Sequence, residues 1–84
     1  MDKRDRFAAN LRRARKAAGV SQEELAERCE LHRTEVSLLE RGGREPRLGT
    51  LVKLATALGT TAEALVTGIS WDAQSRQYKI DEPS

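Results

Sequence analysis

Apolar residues recur three and four positions apart along most of this chain, and nearly every such run stops at a glycine. Phe7, Leu11, Ala14 and Ala18 share one face of a helix predicted from about Asp5 to Ala18, with Gly19 as its stop. Leu25, Ala26 and Cys29 form the apolar face of a short second helix, about Gln22 to Cys29. Val36 and Leu39 form that of a third, about Arg33 to Arg41, terminated by Gly42. Leu48, Leu51, Leu54, Ala55 and Leu58 predict a fourth helix that closes at Gly59. Leu65 and Val66 predict a fifth, capped by Thr60 or Thr61 and ended at Gly68.

The stretch SQEELAERCELHRTEVSLLERG, residues 21 to 42, is the most informative. Ser21 and Glu24 have the spacing of a capping box, in which the hydroxyl accepts from the Glu24 N–H and the carboxylate accepts from the Ser21 N–H. A turn at Glu30 and Leu31 separates this helix from the next. With Val36 and Leu39 turned inward, Arg33, Thr34, Ser37 and Leu38 are left facing out. Two short helices in this relation make a helix-turn-helix.

Beyond Gly68 the period changes from helical to alternating. Ile69-Ser70-Trp71 and Arg76-Gln77-Tyr78-Lys79-Ile80 read as two short strands around the polar turn Asp72 to Ser75. Trp71, Tyr78 and Ile80 fall on one face. An isolated hairpin is barely stable in water, so this one must cover its own helices or meet a second copy. The last residues, Asp81 to Ser84, look frayed.

Composition narrows the classes. A chain of 84 residues suggests one small core, and with 4% aromatic residues that core must be Leu, Ala and Val. The single cysteine, Cys29, excludes an internal disulfide and a multi-cysteine zinc site, and its apolar face predicts a buried free thiol. No apolar run is long enough for a membrane span, and MDKRDRF leads into an amphipathic helix rather than a secretory signal. A reduced cytoplasmic location is the expectation.

A net charge of +2 says little by itself, but its distribution says more. Lys3, Arg4, Arg6, Arg12, Arg13, Arg15 and Lys16 crowd the first helix, and Arg41, Arg44, Arg47 and Lys53 follow the third. Glu23, Glu24, Glu27 and Glu30 crowd the second. The basic segments form either a phosphate-facing rim or a solvated helix face. No Ser-His-Asp arrangement, phosphate-cradling glycine loop or metal-ligand cluster stands in the sequence, so no catalysis, cofactor or metal is expected.

The chain resembles the lambda-repressor-like (XRE-type) DNA-binding domains. SQEELAERC matches the scaffold helix, VSLLERG the end of the second motif helix, and EPRLGTLVKLATALG the helix behind it. The resemblance spans roughly Arg6 to Gly68. It rests on the joint spacing of Gly19, Gln22, Leu25-Ala26, Val36, Leu39-Glu40, Gly42, Pro46 and Leu51. Two positions depart from the pattern: Glu30 stands where the turn usually carries Gly, and Arg47 where a capping Ser is common. The implied fold is all-α, a five-helix domain over residues 1–68, with a C-terminal extension over 69–84 that includes a hairpin.

The resemblance also implies roles. The third helix enters the major groove, with Arg33 the first choice for direct readout, since a guanidinium can donate twice to guanine O6 and N7. Thr34 and Ser37 reach a base or a phosphate. Leu38 either touches a thymine methyl or is partly buried against the fourth helix. Glu35 is expected to orient Arg33 or to avoid the DNA. Gln22 packs toward the recognition helix and bonds the DNA backbone, His32 is a phosphate or capping neighbour, and Arg41, Arg44, Arg47 and Lys53 anchor phosphates. Arg15 and Glu40 form a partly buried structural ion pair.

The expected function is a sequence-specific transcription regulator on a palindromic operator in double-stranded DNA. It acts as a homodimer, in the manner of small phage repressors, restriction-modification controllers and single-domain bacterial regulators. Leu65, Ile69, Trp71, Tyr78 and Ile80 are the expected dimer contact. A chain this short has no room for a separate effector domain, so no small-molecule effector is implied. The alternative is an antitoxin-like subunit whose protein partner binds the Trp71–Ile80 segment.

Overall fold

The computed structural model describes residues 1–82; of the frayed tail read at Asp81 to Ser84, Pro83 and Ser84 lie outside the described residues, whereas the Asp81 amide is held by the Gly68 carbonyl. Five helices and one hairpin follow one another: α1 Lys3–Ala17, α2 Gln22–Cys29, α3 Arg33–Glu40, α4 Leu48–Ala57, α5 Ala62–Leu65, β1 Ile69–Asp72 and β2 Gln77–Ile80. Among the described residues no helix is long and apolar enough to cross a membrane.

The helix starts are set by caps. Ser21 and Glu24 close both halves of the capping box, at 3.0 Å each. α1 starts two residues earlier than its apolar face suggested. Asp2 accepts from the Arg4 and Asp5 amides at 2.9 and 3.1 Å, and Asp5 reaches back to the Asp2 amide at 3.3 Å. This is a second capping box, built on Asp rather than Ser and Glu. Thr61, not Thr60, caps α5. The turn after α2 is made by Glu30 in the left-handed region (φ 55°), a conformation that costs a side-chain-bearing residue energy that glycine is spared.

The core is one cluster. Phe7, Leu11, Leu25, Cys29, Val36, Leu39, Leu54 and Leu65 are its buried centre, with Leu51, Leu58, Val66 and Ile69 packed around it. Burial also pushes the Cys29 thiol up from its ordinary pKa. Two expected core positions are outside it. Leu48 is 77% exposed at the first turn of α4, and Ala18 lies exposed beyond the end of α1. In the other direction, Leu65 was expected at a subunit contact but is 1% exposed. Its side chain is spent inside this chain's own core and has nothing left for a partner.

The hairpin is tied to the helices by two buried polar side chains of α1. Asn10 Nδ2 donates to the carbonyls of Leu65 and Thr67 at 3.0 and 2.8 Å, and Arg6 Nε donates to Thr67 at 3.0 Å. These close carbonyls left open at the end of α5. The Arg6 guanidinium lies so close to Gly68 (φ 86°) that any Cβ there would collide with it. β1 and β2 pair antiparallel, with Ile69 opposite Ile80 and Trp71 opposite Tyr78. The Asp81 amide donates to the Gly68 carbonyl at 2.8 Å, which makes Ile69–Ile80 and Trp71–Tyr78 the closely spaced, non-hydrogen-bonded pairs.

Candidate nucleic-acid interface

α3 is gripped on one side and open on the other. Val36 and Leu39 are 0% and 1% exposed, whereas Arg33 and Thr34 are exposed and Ser37 is half-buried. His32 sits at the N-cap in extended backbone but makes no side-chain capping bond, so it leaves the first amides of α3 uncovered beside Arg33. Both the positive end of the helix dipole and the Arg33 guanidinium therefore stand at the same corner.

The far end of α3 is locked from three directions. Glu40 is 3% exposed, and its carboxylate accepts from Arg15 Nε at 2.6 Å, Arg15 Nη2 at 3.0 Å and Gln22 Nε2 at 3.1 Å. Arg15 also donates through Nη1 to the Val20 carbonyl at 3.0 Å. The carboxylate beside it raises the Arg15 pKa above its ordinary value. Arg12 Nη1 donates to the Glu40 backbone carbonyl and closes one of the open acceptors at the C-terminus of α3. α1, the first residue of α2 and the last residue of α3 thus meet at one carboxylate, which fixes α3 against the scaffold that carries Gln22.

The loop after α3 places the arginines. A Cβ on Gly43 would stand 2.5 Å from Leu38 Cδ1, so the loop backbone closes directly over Leu38. Leu38 is half-buried, and it packs on this loop rather than being free at the outward face. Arg44 and Arg47 then share a recess of about 310 Å³ with Glu35, Pro46 and Thr50. Glu35 turns toward that recess and makes no ion pair with Arg33 among the described residues. Arg41 is exposed and bonds the Ser37 carbonyl at 3.3 Å. Arg47 occupies the N-cap of α4, where its donor-only guanidinium cannot cap the helix amides.

Lys53 is the exception. It lies six residues into α4 from Arg47, about 9 Å along the helix, and its charge acts on Cys29 together with that of Arg28. The structure does not bring it to the Arg44–Arg47 recess. Arg12 is the contributor that sequence reasoning did not single out. Its signal was present in the Arg12/Arg15 spacing, which sets two guanidiniums on one face of α1. Arg6 and Asn10 gave no such signal.

Residues 11–65 match the Helix-turn-helix family profile. The control protein C.SmaI of Serratia marcescens is 43% identical over 67 residues, covering 80% of each chain. Among solved structures, the hypothetical transcription factor NHTF from Neisseria superposes with a TM-score of 0.73 at 41% identity, covering 89% of this chain and 82% of that one. The restriction-modification controller C.AhdI from Aeromonas hydrophila does so with 0.71 at 42%, covering 74% and 94%. This chain belongs to the Helix-turn-helix family, whose members are DNA-binding transcription regulators and not enzymes.

Proposed function

We propose that this protein binds a palindromic operator in double-stranded DNA as a homodimer and regulates transcription from it. The observation that carries the reading is the open corner of α3. Arg33 and Thr34 stand exposed at an uncovered helix N-terminus, while the opposite end of the same helix is clamped by Glu40, Arg15 and Gln22. A reader needs this division, since a helix that enters a groove must be rigid behind and unobstructed in front.

Arg33 reads a guanine, Thr34 and Ser37 add weaker contacts, and Gln22, His32, Arg41, Arg44 and Arg47 hold phosphates. Leu38, pressed on Gly43, shapes the loop more than it reads a base. The relative named as a restriction-modification controller, and the other named as a control protein, support a regulator of this small type. The test is selection of bound duplexes from a random pool. The expected product is an inverted repeat with half-site centres one helical turn apart, about 34 Å. An unenriched pool overturns the reading.

The antitoxin-like alternative rests on the Trp71–Tyr78 pair, which stays exposed in the single chain. It predicts no enriched sequence, together with a stoichiometric complex formed by residues 69 to 80 and a protein partner.

A further inference from the structure

The hairpin carries one apolar face, and the chain's own helices cover only half of it. Ile69 and Ile80 lie at the covered end, Ile69 against the core. Two register positions outward on the same face, Trp71 and Tyr78 are 56% and 52% exposed and stack edge to face, their centroids 5.1 Å apart. The stacked pair is left solvated, and contiguous aromatic surface of this kind marks a contact site. Beside it opens a groove of about 230 Å³ with apolar walls from Phe7, Pro46, Leu51, Val66, Ile69 and Tyr78, and with Lys3, Arg4 and Glu45 completing its lining. A projecting indole and an apolar recess thus adjoin on one surface of the same chain.

We propose that the occupant of this groove is the Trp71 indole of a second copy, seated reciprocally across a two-fold axis. This rests on the homodimer reading and supplies its interface. Two features favour a copy of this chain over another partner. A two-fold contact must be self-complementary, and a surface bearing both the knob and its hole meets that condition with no further element. It must also avoid like charge facing itself. Here the charges at the rim are already neutralised in pairs. Lys3 Nζ is 2.9 Å from Glu45 and lies 4.7 Å over the Tyr78 ring, Arg4 is 3.5 Å from Asp2, and Lys79 is 3.8 Å from Asp72. The basic DNA-facing corner has no such balance and cannot meet its own copy.

Size sets the strength. Trp71 and Tyr78 are 56% and 52% exposed, so each can bury only about half of the roughly 150–250 Å² an aromatic side chain offers. Even with comparable groove wall on both copies the contact stays below the ~1,200 Å² at which specific interfaces begin. The free dimer is accordingly weak, and DNA that holds two half-sites together strengthens it.

Trp71 is the single tryptophan of the chain, so its emission reports the contact directly. In a dilution series of the full chain, sedimentation and tryptophan emission should move together, with the emission shifting to the blue as dimer forms. Trp71→Ala, which removes an exposed side chain, and Val66→Glu, which charges the groove, should each weaken dimerisation at least tenfold. A mixture of the two restores one knob and one intact groove. It should recover heterodimer together with the blue shift, provided melting curves show Val66→Glu folded; the milder Val66→Ser replaces it if not.

Unchanged dimer affinity for Trp71→Ala overturns the proposal. So does a chain that stays monomeric with solvated emission at every concentration. Binding of the variants to a duplex carrying one selected half-site should match the parent. Loss of half-site binding by the parent itself would instead strike the DNA-binding reading.

Discussion

Arg15 meets Glu40 with Nε 2.6 Å from Oε2 and Nη2 3.0 Å from Oε1, and the carboxylate shares Oε1 with the Gln22 amide. The Glu40 carboxylate is 3% exposed, and three donors converge on it. This single junction sets the angle of α3 on α1 and fixes the residue that opens α2.

Breaking it should be expensive. Glu40→Ala leaves a largely buried guanidinium without its partner and should cost about 3–5 kcal/mol. Glu45→Ala removes only the solvent-exposed pair with Lys3 and should cost far less. Thermal unfolding of the two variants compares them directly, and equal melting temperatures would remove the structural role of the Glu40 junction.

Reading and anchoring separate by mutation. Arg33→Ala should relax preference at one operator position, with about 1–3 kcal/mol lost in discrimination. Arg44→Ala should weaken all sequences alike and reduce the salt slope by about one phosphate's worth. Binding titrations on matched and mismatched duplexes at several salt concentrations decide the matter. Indistinguishable variants would contradict the division of labour.

The capping carboxylates predict an acid edge to stability. Backbone amide bonds, chiefly to Asp5, hold Asp2 below its usual pKa, and the Ser21 amide holds Glu24 below its own. A depressed folded-state pKa means stability that is present above the unfolded value and lost as pH falls through the folded one. The melting temperature should therefore be flat through neutrality and drop below the unfolded-state values, 3.8 for Asp2 and 4.5 for Glu24. Asp2→Asn with Glu24→Gln should start lower and fall less over that range.

Glu30 offers the converse experiment. Its side chain is exposed and its backbone left-handed at φ 55°, so Glu30→Gly relieves strain and loses no buried contact. A gain of about 0.5–1 kcal/mol is expected, the αL relief being partly offset by the entropy of the glycine in the unfolded chain. Glu30→Val, branched at Cβ in the same conformation, should destabilise. Chemical denaturation of the three forms measures both.

What the sequence determined by itself is local. The α2 capping box, the helix-turn-helix spans and the alternation of Trp71, Tyr78 and Ile80 depend on residues within a few positions of one another. Their geometry follows from backbone periodicity and short-range hydrogen bonds. The open face of α3 was legible for the same reason, because Val36 and Leu39 define its inside. Asp2 was equally local but missed, its Asp-x-x-Asp box lying just ahead of the apolar run that marks α1. The tertiary structure decided whatever joins distant segments. Arg6 and Asn10 find carbonyls at Leu65 and Thr67, and Arg12 finds that of Glu40. A long polar side chain has no periodicity to announce its partner. Packing likewise left Leu48 outside and drew Leu65 in, because the width of a helix's buried stripe depends on which neighbours lie against it, and no residue carries that in its own identity.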